Sequence, residues 1–151
     1  RLADLYAGRT LVWPDGVPVR PVMRRLNESN FEKMMSLSPA VQQAVRAAEQ
    51  RHGLPYASSD QEMADLLERV PGAIGVLTLG MLLSEKRAVR ALAIDGVAPT
   101  PDNARLGRYP LAKRHYLVTR NDASPEVGRF VSYVRSAEGQ AILRAHGYWI
   151  P

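Results

Sequence analysis

Apolar residues recur at helical spacing in LADLYAG (2–8), and Gly8 stands where a helix takes a left-handed closing residue. WPDG (13–16) is a turn, with Pro14 pre-setting φ and Gly16 closing it. VPVRPVM (17–23) alternates, but its two prolines reduce it to a short edge strand or an extended segment. LSPAVQQAVRAAEQRHG (37–53) predicts a helix capped by Ser38, with Pro39 first inside and Gly53 at the end. SSDQEMADLLERV (58–70) repeats that design, with Ser59 and Glu62 as a capping box and Met63, Leu66, Leu67 and Val70 as its apolar stripe.

PGAIGVLTLG (71–80) reads as a turn followed by a buried strand. AVRALAI (88–94) and KRHYLVTRN (113–121) predict two more strands, and PTPDNARLGRYP (99–110) a turn-rich loop between them. Two helices follow, over 124–136 and 136–147, each opened by a serine, with Gly147 closing the second. Helix and strand patterns alternate, so the fold class is α/β. There is no fixed-period repeat and no low-complexity linker.

RRLNESNFEKMM (24–35) is ambiguous. Ser29 and Glu32 have capping-box spacing, and Arg24 and Arg25 suit surface pairs with Glu28 and Glu32. The same residues suit an anion corner, where an arginine and the exposed N–H groups of a helix start converge.

Composition narrows the candidate chemistry. The 151 residues fit one ordinary domain, or one lobe with part of a second. The net charge of +5 suits an anionic partner. The basic residues are scattered and aromatics make up only 7%, which argues against a nucleic-acid platform. Without cysteine there are no disulfides, thiol nucleophiles or Cys-based zinc sites. The longest apolar run, AIGVLTLGMLL (73–83), falls short of the roughly 20 residues of a membrane helix. His52, His115 and His146 have no neighbour at metal spacing, and no G-x-S-x-G elbow supports a nucleophile. The glycines of 72–80 do not form a dinucleotide fingerprint, so neither a cofactor nor an enzyme is expected.

Several phrases in fixed order carry a resemblance: LYAGRTLVWPDG, RRLNES, VPGAIGV, VAPTPDN, GRYPLAKRHYLVT and FVSYVRSAEGQAILRAHGYWIP. Together they resemble the periplasmic phosphate-binding proteins of ABC importers, within the type-2 solute-binding superfamily. The resemblance implies a type-2 lobe with a mixed sheet flanked by helices, plus a C-terminal segment returning to the other lobe. Residues 1–111 would be the second lobe of the clamshell and 112–151 the return, in a chain that looks N-terminally trimmed or reduced. It further implies an extracytoplasmic protein that captures phosphate or a related oxyanion for an ABC permease. The alternative is a ligand-free sensor or protein-interaction module, attached to a signalling protein.

The matching corner in the family is an arginine, three residues, then Ser-Gly-Thr at a helix start. By position Arg25 matches the arginine and Ser29 the serine, so the resemblance places the ligand at Arg25, Ser29, Asn30 and Phe31. Asn30 and Phe31 depart from glycine and threonine, leaving their backbone N–H groups as the donors, and Glu28 replaces a small residue. A carboxylate facing the cleft would repel a dianion by an energy of order several kcal/mol unless Arg24 or Arg25 neutralised it.

Overall fold

The computed structural model describes residues 1–149, so Ile150 and Pro151 of the final motif lie outside the described residues. The chain divides into two compact units, the first Arg1–Arg90 and the second beginning at Ala91.

In the first unit, α1 (Leu2–Ala7) ends at Gly8, whose φ of +73° is the left-handed closure that the sequence requires. Helix α2 (Ser29–Met35) is followed by α3 (Pro39–Glu49), where the Ser38 hydroxyl accepts from the Val41 N–H at 3.2 Å. Helix α3 stops four residues before Gly53. Helix α4 (Asp60–Arg69) begins as expected: the Ser59 hydroxyl accepts from the Glu62 N–H at 3.1 Å. The Glu62 carboxylate reaches back one residue further than the usual box, to the Ser58 N–H at 2.8 Å.

Strands β1 (Arg20–Pro21) and β2 (Ala73–Ile74) pair in parallel. Arg20 N–H donates to Gly72 O at 3.0 Å and Val22 N–H to Ile74 O at 2.8 Å. Successive N–H groups of a strand point to opposite sides, so the donor that Pro21 lacks would have faced away from β2. On that other side pairing begins only at Met23, whose N–H donates to Pro55 O at 2.8 Å. The expected edge segment is therefore bridged on both flanks.

Apolar faces at i, i+3, i+4 and i+7 build the core: Val41, Ala44, Val45 and Ala48 of α3 meet Phe31, Met34 and Met35 of α2, with Tyr6, Val22, Met23, Ala57 and Met63. Gly75 follows β2 where a Cβ would lie 2.7 Å from Met63 Sδ, so the backbone there approaches the Met63 side chain closely. The buried strand predicted over 71–80 is cut short after Ile74. Thr78 caps a further helix, α5 (Leu79–Ser84), by accepting from the Met81 N–H at 3.3 Å.

The second unit departs further from expectation. Residues 88–94 form no strand; Ile94 and Val97 instead pair across a tight Asp95-Gly96 turn, both with positive φ. The loop over 99–110 contains α6 (Pro101–Arg105), capped by Thr100. Residues 113–121 have strand composition but join no sheet among the described residues, and Tyr116 and Val118 are 75% and 90% exposed. Helices α7 (Pro125–Arg135) and α8 (Ala137–Ala145) form as predicted, joined at Ser136. A Cβ at Gly139 would lie 2.3 Å from Tyr133 O, so only glycine allows this joint.

Candidate functional site

The corner over residues 24–31 opens with a turn, in which the Glu28 N–H donates to Arg25 O at 3.0 Å. The turn brings Glu28, rather than Ser29, to the cap of α2, correcting the capping box expected from Ser29 and Glu32. Glu28 Oε2 accepts from the Asn30 N–H at 3.0 Å and, more weakly, from the Phe31 N–H at 3.4 Å. The Ser29 hydroxyl donates to Glu28 Oε1 at 3.1 Å. Ser29 is thus the first residue inside the helix and a donor to the group that caps it.

The two arginines are used differently. The Arg24 side chain is mostly buried; it is ion-paired with Asp60 at the head of α4 and lies 4.0 Å from Glu28 Oε2. Arg25, the residue aligned by the resemblance, is exposed and makes no ion pair among the described residues. The guanidinium nearer to Glu28 is therefore Arg24, itself paired with Asp60, and sequence position alone did not separate the two.

Phe31 contributes only its N–H here. Its ring is fully buried and meets Tyr6 edge-on, with centroids 6.5 Å apart. Asn30 is buried too, so Arg25, Ser29, Asn30 and Phe31 share a corner but present one exposed guanidinium, one hydroxyl and two backbone donors. An open groove of about 460 Å³ beside α2 and α3 is lined by Leu26, Asn27, Glu32, Met35, Ser36, Gln42 and Arg46, and by none of these four residues.

Among the other candidates, His146 closes α8 with its ring Nδ1 2.8 Å from Ile142 O, and His115 stacks edge-on against Tyr148. Asn103, expected in a turn, lies on α6 and donates through its amide to Ala98 O at 2.9 Å. Tyr109 donates its hydroxyl to Leu92 O at 3.2 Å, and burial raises its pKa. No group of three or more metal-ligating side chains is assembled among the described residues.

Solved structures share the fold. PstS from Borrelia burgdorferi superposes with a TM-score of 0.61 at 19% identity, covering 98% of this chain and 60% of that one. An ABC-type phosphate transport receptor from Vibrio cholerae superposes with a TM-score of 0.59 at 18% identity, covering 99% of this chain and 62% of that one. The chain belongs to the PBP superfamily, whose domain model matches residues 1–138. Among its relatives, the phosphate-binding protein PstS of Bacillus subtilis is 33% identical over 109 residues, which is 72% of this chain and 35% of that protein. PstS 2 of Streptococcus agalactiae is 32% identical over 92 residues, 60% of this chain and 30% of that protein. The chain thus spans about a third of the length of the curated relatives it matches. No helix among the described residues is long and apolar enough to cross a membrane.

Proposed function

We propose that this chain is part of an extracytoplasmic solute-binding protein that captures phosphate, or a closely related oxyanion, for an ABC importer. The observation that carries this reading is the corner at the head of α2, where two backbone N–H groups and a hydroxyl gather on one oxyanionic group, the Glu28 carboxylate. Donors that hold a carboxylate in this way suit the oxygens of a phosphate. Arg25 adds an exposed guanidinium with no competing ion pair, whose planar fork matches two oxygens of an incoming anion. Membership of the superfamily and the names of the relatives support the same reading. The permease contact, a non-enzymatic role and the lobe assignment of 1–111 and 112–151 belong to this proposal.

Calorimetric titration of the full-length protein with phosphate, sulfate and molybdate tests it. Saturable heat with phosphate, weakened about tenfold or more in Arg25→Ala, is the expected result. Absence of heat with all three anions overturns it. The rival reading, a ligand-free sensor or protein-interaction module of the same fold, is favoured by the carboxylate that already occupies the donors.

A further inference from the structure

We propose that the groove beside α2 and α3 is a second binding site, for a zwitterionic ligand of dipeptide size with an apolar side chain. None of its lining residues belongs to the anion corner, so the site is independent of phosphate capture. Its floor is apolar: Met35 is buried and Leu26 half-buried, both packed with the core of the first unit. Around that floor stand four polar side chains, Asn27 and Glu32 from the α2 side and Gln42 and Arg46 from α3. All four residues are exposed, and none makes a side-chain hydrogen bond or ion pair among the described residues. A carboxylate and a guanidinium therefore line one groove without pairing with each other. The groove's volume of about 460 Å³ lies within the usual range for small-ligand sites and leaves room for more than one residue.

A free ammonium is the complement of Glu32, and a free carboxylate matches the planar fork of Arg46. The Asn27 and Gln42 amides both donate and accept, which suits a peptide group between those two termini. An apolar side chain on the ligand would be covered by Leu26 and Met35. Charged side chains along a helix are ordinarily just solvated; these two differ in sharing a groove that has an apolar floor. A ligand with one charge satisfies only one of them, so both free termini are needed for full affinity.

L-leucyl-L-leucine, its N-acetyl derivative and its C-terminal amide are titrated into the full-length protein, with the Met35 methyl and Arg46 side-chain signals followed by NMR. Glu32→Gln and Arg46→Gln are compared with it; both side chains are exposed and hold no other group, and a thermal melt checks that the fold is kept. The expected result is a saturable shift of both signals with the free dipeptide, and binding roughly tenfold or more weaker for either blocked form. In Glu32→Gln the free and N-acetyl peptides should bind alike, and in Arg46→Gln the free and amidated ones should, read at the Met35 methyl. No saturable shift with the free dipeptide overturns the site. Equal binding of all three peptides by the unsubstituted protein, or discrimination that survives both substitutions, overturns the zwitterion as its ligand.

Discussion

Tyr6 lies wholly inside the core, and its hydroxyl has no hydrogen-bond partner among the described residues. Burial alone raises the pKa of that phenol well above its ordinary value. A buried hydroxyl without a partner costs folding energy, whereas the ring itself gains from its edge contact with Phe31. Tyr6→Phe is therefore expected to raise stability by about 1 kcal/mol in chemical denaturation, and a loss of similar size would show that the hydroxyl is satisfied. The apolar periodicity already marked helices around Tyr6 and Met63, because core burial sets that spacing. The α2 cap was harder to see. Ser29 and Glu32 have the right types at the right spacing, yet the turn closed by the Glu28 N–H brings a longer side chain to the same donors one residue earlier.

Among the elements, helices where Ser-Pro opens a long apolar stripe were the most legible, whereas the short α6, with the same signal at Thr100-Pro101, was read as loop. Such signals are local, and α3 and α7 begin at Pro39 and Pro125 as expected. Strands were less so, because a strand exists only where a partner meets it. HYLVT has strong β composition and joins no sheet among the described residues, whereas Pro21 has poor composition and is paired. The β1–β2 joint also depends on Gly72, with φ of +74° and a missing Cβ that would lie 2.0 Å from Pro18 O. Gly72→Ala should cost roughly 2 kcal/mol or more, with hydrogen exchange of the Arg20 and Val22 amides rising first. Unchanged exchange would show that the joint tolerates a side chain.

Arg87 ties the segment after α5 to α4, at 2.7 Å from Asp65, 3.3 Å from Glu68 and 2.7 Å from Glu85. Its hydrogen bond to Asp65 holds that carboxyl below the usual carboxylate range. A lowered folded-state pKa means that this stabilisation is present above the unfolded value, about pH 4, and is lost as the pH falls through the folded value. In Arg87→Gln the Asp65 midpoint should rise towards the ordinary range in a carboxyl NMR titration. A midpoint that stays put would assign the shift to Arg69 instead.

Across the whole molecule, burial is uneven. Every residue of the hydrophobic core cluster lies in the first unit, while Tyr116, Val118 and Phe130 of the second are mostly exposed. A chain of residues 1–90 is expected to unfold cooperatively on its own. Residues 91–151 alone should show helical circular dichroism without a sharp thermal transition, because too little apolar surface is buried to offset chain entropy. A cooperative melt of the second fragment would refute this. The family was legible from motif order because turns and caps are written in short phrases. The division after Arg90 was not, since no change of composition marks it.

Trp13 sits at the edge of the β1–β2 joint, and its indole N–H donates at 2.9 Å to Gly72 O, the same carbonyl that accepts the Arg20 N–H. The sequence has only two tryptophans, and the other, Trp149, is exposed. Emission from a half-buried indole is sensitive to the loss of such a bond, while the exposed one supplies a nearly constant background. The protein therefore carries its own fluorophore at a single structural joint of the first unit, and the unfolding of that joint can be followed without a label.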